Sequence, residues 1–187
     1  MQDLVDDMKA NPAKLSFGGG SAGGTDQILL GLIAKAAGVD PSKPKYVAYS
    51  GGGEAEQSIL SGSVDAGISG VSEWADQVEA GKMRALAVST SKPVDVGGKQ
   101  VETLKDQGLD VEITNWRGVV APPGIKPAER DAAIAAIKKL HDSDEWKAAL
   151  EKNEWTDFFK PGDEFKTFMD SENTRVKSIL RDIGLTG

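Results

Sequence analysis

The stretch "LSFGGGSAGGTD", residues 15–26, decides how the rest of this sequence is interpreted. It contains five glycines and no charged residue before Asp26. An apolar extended segment, Leu15–Phe17, opens it, and the following "QILLGLIAKAAG" carries apolar residues at helical spacing. We predict Thr25 as the N-cap of that helix and Gly38 as the residue just past its end. The pattern therefore indicates a strand, a glycine loop and a helix in succession.

The same order recurs twice along the chain. "KYVAYSGGGEAEQSILSG" predicts a strand at Tyr46–Tyr49, a loop at Ser50–Gly53 and a helix at Ala55–Leu60. "VDAGISGVSEWADQVEAG" predicts a third unit, with Ser72 as the N-cap and Gly81 as the stop, and "MRALAVST" predicts a further strand. Strands that alternate with helices at this spacing indicate an α/β fold, with a parallel sheet covered by helices on both faces.

The C-terminal third of the sequence has a different pattern. From Pro127 onward it is almost entirely helical, and "GVVAP" is the one short run there that predicts a strand. One strand cannot cover so much apolar helix surface, so we expect this tail to pack on the first domain, expose an apolar patch or self-associate. The apolar stripe of the last helix comprises Phe165, Phe168, Met169, Val176, Ile179, Leu180 and Ile183.

Composition excludes several classes of function. The chain has 187 residues, 39% of them hydrophobic, and a net charge of -7 without a basic run, which argues against nucleic-acid binding. It holds no cysteine and one histidine, so disulfides, thiolate nucleophiles and His-rich metal sites are excluded. No segment has the apolar length of a membrane span, and the first residues lack the pattern of an export signal. We therefore expect no metal and no cofactor.

The glycine loops suggest an anion cradle. Glycines let backbone N–H groups approach a ligand closely, and the following helix adds the positive end of its dipole. Ser21 and Thr25 add hydroxyl donors. Because ligands of open α/β sheets lie at the carboxyl ends of the strands, the two loops could converge on one anion. The alternative, that both loops are merely flexible connections, stays open.

Other uses of these loops fit the sequence less well. No Lys-Ser or Lys-Thr pair follows the glycines, which excludes a Walker-type phosphate loop. The acidic residue of a dinucleotide site is missing near Tyr49 and Ser50, where it would be expected. A catalytic triad would need His141, which we interpret instead as an exposed helix residue.

Four segments together resemble a known family, the substrate-binding (Bug) receptors of tripartite tricarboxylate transporters. They are "NPAKLSFGGGSAGGTDQILLGLIAKAAGVD", "YVAYSGGGEAEQSILSGSVDAGISG", "VEAGKMRALAVST" and "LKDQGLDVEITNWRGVVAPPGIKPA". The most specific pieces are Tyr49–Gly53, "AGKMRALAVS" and "WRGVVAPPG". The resemblance implies a type II periplasmic-binding-protein-like fold, whose two α/β lobes close on a small carboxylate. It also implies a periplasmic or cell-surface binding protein that is not an enzyme and whose partners are the transporter's membrane components.

The resemblance also implies which residues contact the ligand. They lie in three loops of the second lobe and on the strand that returns to the first lobe. Arg117 stands where many relatives have Phe, and for it a structural role in a hinge salt bridge is favoured over ligand contact. The implied ligand-binding residues are Ser21, Ala22, Gly23, Gly24, Thr25, Tyr49, Ser50, Gly51, Gly52, Ser69, Gly70 and Arg117.

The match begins in the middle of a family protein, so the first lobe is expected to be incomplete. We predict residues 1–12 as a leading helix, 13–114 as ligand-binding lobe two, and 115–187 as the hinge and the C-terminal part of lobe one. The ligand is expected to be a di- or tricarboxylate, an aromatic acid or an acidic amino acid. Alternatives are a ligand-sensing effector domain of a regulator, which would normally follow a DNA-binding motif, and a carboxylate sensor without a transport role. A small hydrolase or nucleotide enzyme would need a nucleophile and base or a phosphate lysine, and neither is found.

Overall fold

The computed structural model describes residues 1–153 and 155–185. Seven helices and five strands form in these ranges. In chain order they are α1 Gln2–Ala10, β1 Ser16–Gly19, α2 Thr25–Ala36, β2 Lys45–Ala48, α3 Gly52–Leu60, β3 Ala66–Gly67, α4 Val71–Glu79, β4 Val94–Val96, β5 Lys99–Val101, α5 Pro127–His141, α6 Asp144–Lys152 and α7 Gly162–Asp182.

The chain divides into two compact units. The first comprises Met1–Asn115 together with the residues from Arg175 onward, and the second comprises Trp116–Thr174. Helix α1, predicted as a separate leading segment, contributes Val5 and Met8 to the core of the first unit. The assignment of these units to the two lobes of a receptor stays a prediction.

A parallel sheet of three strands, in the order β2-β1-β3, organises the first unit. β1 pairs with β2 along its whole length, from Ser16 opposite Lys45 to Gly19 opposite Ala48, and it pairs with β3 on its other side. The predicted α/β fold with a parallel sheet is confirmed. Because the strands run parallel, their C-terminal ends at Gly19, Ala48 and Gly67 lie at one edge.

The main core of the first unit packs α1 and α2 around Phe17 of β1, whose side chain is only 2% exposed. The buried members of this core are Val5, Met8, Phe17, Leu30, Ile33, Ala34, Ala37, Val39, Leu104, Leu109 and Val111. A second cluster holds the hairpin β4–β5 against Val78 of α4. Two glycines with positive φ, Gly97 and Gly98, make the hairpin turn. Gly-Gly between alternating residues is the sequence signal for such a hairpin.

The C-terminal end of α7 packs within the first unit. Ile179 is 6% exposed and lies against Ile28 of α2 and Ile113. A methyl group at Gly31 would lie 2.5 Å from Ile183 Cγ2, so this glycine permits the close approach of the two helices. The end of α7 thus packs on the first domain, as one of the expected outcomes has it, while the expectation for residues 127–174 stays a prediction.

Four local expectations from the sequence are wrong. The N-caps of α2 and α4 are Gly24 and Gly70, so Thr25 is already the first residue of its helix and Ser72 the second. "MRALAVST" forms only an isolated bridge, between Val88 and Thr103. "VVA", residues 119–121, forms no strand. In both helices, side chains from the first helical turn accept hydrogen bonds from the loop N–H groups, and the N-cap residue supplies no side chain.

The second unit is organised by aromatic contacts. Trp116 meets Phe165 and Phe168 edge to face, with ring centroids 5.8 and 5.2 Å apart, and Phe158 meets Phe168 at 5.2 Å. None of the described residues between 116 and 174 is fully buried. The unit is therefore held by half-buried rings around α7, in contrast to the first unit.

Candidate functional site

Three loops follow the three parallel strands and meet at one edge of the sheet. They are residues 20–24 after β1, 49–51 after β2 and 68–70 after β3. The Tyr49 N–H donates to the Gly19 carbonyl at 2.9 Å, and the Ile68 N–H donates to the Gly18 carbonyl at 2.9 Å. These bonds extend the strand ladders into the loops. Backbone hydrogen bonds therefore hold the three loops next to one another, and this arrangement does not depend on side chains.

Eleven of the twelve residues implied by the resemblance belong to these three loops or to the helix starts behind them. Those eleven are Ser21, Ala22, Gly23, Gly24, Thr25, Tyr49, Ser50, Gly51, Gly52, Ser69 and Gly70. The twelfth, Arg117, belongs to the second unit, where it is exposed. That the eleven contact a ligand stays a prediction.

Each loop leads directly into a helix. Helices α2, α3 and α4 begin at Thr25, Gly52 and Val71, each behind a glycine N-cap with extended backbone that carries no side-chain cap. The first-turn N–H groups of a helix have no partner within the helix, and they carry its positive dipole end. Three such N-termini therefore adjoin one sheet edge, and each is of the kind that attracts an anion.

Carboxylates and an amide already occupy part of the loop backbone. Asp26 Oδ2 accepts from the Gly20 N–H, and Gln27 Oε1 accepts from the Gly23 N–H, both at 2.8 Å. The Ser50 N–H donates to Glu54 Oε2 at 3.0 Å. Fewer loop N–H groups are therefore open to a ligand than the glycine pattern suggests. These acceptors are not among the site residues predicted from the sequence, although acidic or amide residues in the first helical turn are their usual signal.

Glu73 of α4 makes the most extensive of these contacts. Its Oε2 accepts from the Ser69 hydroxyl and, at 3.0 Å, from the Gly70 N–H. A methyl group at Gly52 would lie 2.6 Å from Glu73 Oε1, so the carboxylate lies against the first turn of α3. The Trp74 indole N–H donates to the Gly52 carbonyl at 3.1 Å and fixes α4 in this position.

Tyr46 and Asp26 support the loop at 20–24 from behind. The Tyr46 hydroxyl donates to the Gly20 carbonyl at 2.8 Å, and a methyl group at Gly19 would lie 2.5 Å from that hydroxyl oxygen. Burial raises the pKa of Asp26 against the opposing Gly20 hydrogen bond, and the charge of Glu73 adds to the rise. Burial, and then the charge of Asp26, raise the pKa of Tyr46, which keeps its proton for the Gly20 carbonyl.

Metal clusters and membrane spans are absent from the part of the chain that the structure describes. Within residues 1–153 and 155–185, no group of three or more His, Asp or Glu side chains could hold a metal ion. In the same ranges no helix combines the length and the apolar character of a membrane span. The groups present at the sheet edge are N–H and hydroxyl donors next to carboxylates.

Comparison with known proteins adds the family. The model of the tripartite tricarboxylate transporter family receptor matches residues 1–185. A UPF0065 protein from the gbd 5' region of Cupriavidus necator is 29% identical over 185 residues, which are 99% of this chain and 55% of the relative. A UPF0065 protein of Pseudomonas sp. strain P51 is 31% identical over 143 residues, 74% of this chain and 41% of that protein. The chain thus spans about half the length of these curated relatives.

Solved structures show the same fold. The R. palustris protein Rpa4515 with adipate gives a TM-score of 0.78 at 20% identity, over 98% of this chain and 60% of the other. A TctC solute-binding protein from Polaromonas, without ligand, gives 0.74 at 23% identity, over 96% and 60%. MatC from Rhodopseudomonas palustris with bound malate gives 0.71 at 18% identity, over 96% and 61%. The resemblance drawn from the motifs is confirmed, and the chain belongs to the tripartite tricarboxylate transporter receptor family.

Proposed function

We propose that this chain is the ligand-binding part of an extracytoplasmic solute receptor, which captures a small carboxylate and delivers it to a tripartite tricarboxylate transporter. It works in the periplasm or at the cell surface, its partners are the transporter's membrane components, and it catalyses no reaction. The observation that carries the proposal is the convergence of three helix N-termini on one sheet edge, in a chain of this family.

The donors at that edge suit a carboxylate. The first-turn N–H groups of α2 and α3, together with the hydroxyls of Ser21 and Thr25, can solvate an anion without a cationic side chain. Neither residues 15–34 nor residues 46–81 contain any Lys or Arg. A protein of net charge -7 would bind an anion in this way, through local dipoles. Two solved structures of the same fold carry adipate and malate, whose common feature is the carboxylate group, and this supports a carboxylate ligand.

The test is an NMR titration of the backbone amides with a panel of carboxylates up to millimolar concentration. The panel holds lactate, malate, citrate, benzoate and aspartate. We expect the largest shift changes in residues 21–25, 49–52 and 69–70, and none of comparable size elsewhere. Binding that moves only lysine or arginine environments, with these loops unchanged, would overturn the proposal.

Gly23→Val and Gly62→Val make a matched pair for this test. Both glycines have positive φ, 75° and 72°, and both have open space where a side chain would begin. The strain of a β-branched residue there should cost each variant a similar ~1–2 kcal/mol of unfolding free energy. Gly62 lies just past the C-terminal end of α3, away from the loops, so only Gly23→Val should lose carboxylate binding, by about tenfold or more.

A further inference from the structure

The carboxylate of Glu73 occupies donors that a bound anion would otherwise use. It takes the Ser69 hydroxyl and the Gly70 N–H, and it lies against Gly52 at the start of α3. These three residues are a quarter of the implied ligand contacts. The side chain is therefore placed among the ligand loops as a resident anion and not as a remote surface charge.

The position of Glu73 is fixed by the packing of α4 on α3. Trp74 donates to the Gly52 carbonyl, and the Gln77 side-chain amide donates to Glu56 Oε1 at 3.0 Å. A methyl group at Gly67 would lie 2.7 Å from the Trp74 ring, so β3 also lies against this residue. With α4 held on two neighbours, a ligand has to accommodate Glu73 where it is.

The segment that carries Glu73 is acidic. Residues 46–81 contain six acidic residues and no Lys or Arg. One of the six, Glu54, lies in the first turn of α3, which begins at Gly52, the residue that Glu73 contacts. Burial is the larger cause of the raised pKa of Asp26, and the charge of Glu73 raises that pKa further. An ionised carboxylate accepts hydrogen bonds and cannot donate them. A second anionic group on the ligand would be repelled by Glu73, whereas a hydrogen-bond donor on the ligand would find an acceptor in its carboxylate.

We infer that Glu73 is a specificity-determining residue, which selects a monocarboxylate with a hydroxyl or ammonium donor and disfavours a second carboxylate on the ligand. This rests on the proposed carboxylate-receptor function. The ligand carboxylate is held by the loop at 20–24 and the start of α2. The donor group of the ligand points to Glu73.

Matched ligand pairs test the inference on the full chain. L-Lactate and L-malate share a hydroxyl and differ by one carboxylate, and L-alanine and L-aspartate share an ammonium group and differ in the same way. We expect the first member of each pair to bind about tenfold tighter than the second. The lactate and alanine arms show whether the donor is a hydroxyl or an ammonium group.

Glu73→Gln removes the charge and keeps an acceptor oxygen, so it should raise malate and aspartate affinity by about tenfold and leave the fold unchanged. Glu79→Gln is the control, because it makes the same charge change at the other end of α4. Equal or tighter malate binding by the unaltered protein, or the same effect from both variants, would overturn the role of Glu73 alone. Failure of every ligand to bind either protein would overturn the proposed function and this inference with it.

Discussion

His141 joins two parts of the second unit through both of its ring nitrogens. Nδ1 lies 2.9 Å from Asp142 Oδ1 and Nε2 lies 3.0 Å from Asp157 Oδ2, while the ring stacks on Phe159 with centroids 4.2 Å apart. Its side chain is 21% exposed, so the expectation of an exposed helix histidine is wrong. The residue pins the end of α5 to the segment before α7, because an imidazolium can donate to both carboxylates at once.

This geometry predicts a pH dependence of stability. The hydrogen bond to Asp157, and then that to Asp142, raise the pKa of His141 above its usual 6.5. The stabilisation is complete below pH 6.5, where His141 is charged whether folded or unfolded, and it is lost as the pH rises through the folded-state pKa. Thermal unfolding between pH 6 and 9 should therefore show a falling midpoint, which His141→Gln flattens.

Asp157→Asn provides the second arm of that experiment. It removes the larger cause of the pKa shift and keeps a side chain of the same size, so its pH profile should lie between those of the unaltered protein and His141→Gln. Identical profiles for all three proteins would show that the two carboxylates do not hold the imidazolium.

Among the elements, those with a complete local signal could be predicted and those that depend on partners could not. The end of α2 could be predicted because Gly38, which has φ 75°, is a C-terminal helix signal within the local sequence. The strand predicted at "MRALAVST" is missing because a strand needs a neighbouring strand along its length, and backbone pairing here is limited to Val88, opposite Thr103, and Ser89, whose carbonyl accepts from the Ile113 N–H.

The candidate site follows the same division. Its loops could be predicted because a run of glycines between a strand and a helix is a signal contained in a few consecutive residues. The position of Glu73 over Gly52 could not, because it depends on how α4 packs on α3 through Trp74 and Gln77. Sequence alone therefore located the donors but overestimated how many are open.

The C-terminal half of α7 is predicted to stabilise the first unit. Ile179→Ala would leave a cavity between Ile28 and Ile113, and should lower the free energy of unfolding by about 2–5 kcal/mol. Ser178→Ala on the same helix is exposed and should change it by less than about 0.5 kcal/mol. Urea unfolding measures both, and an equal effect of the two variants would show that this end of α7 contributes no packing.

For the whole molecule, apolar burial is uneven. The first unit holds three buried clusters, while the described part of 116–174 holds none. Val119 and Val120 are 73% and 71% exposed and Trp155 is 60% exposed. Burying a large apolar side chain contributes about 1.5–3 kcal/mol, so association that covers several of them is favoured.

We therefore predict that this chain self-associates as its concentration rises. Val120→Glu should reduce association, because it places a charge among the exposed apolar side chains, whereas Ala148→Glu adds the same charge on α6 and should have little effect. Size-exclusion chromatography with light scattering across micromolar concentrations measures the mass of each protein. A monomer at every concentration would show that these side chains tolerate water, and equal behaviour of the two variants would place the contact elsewhere.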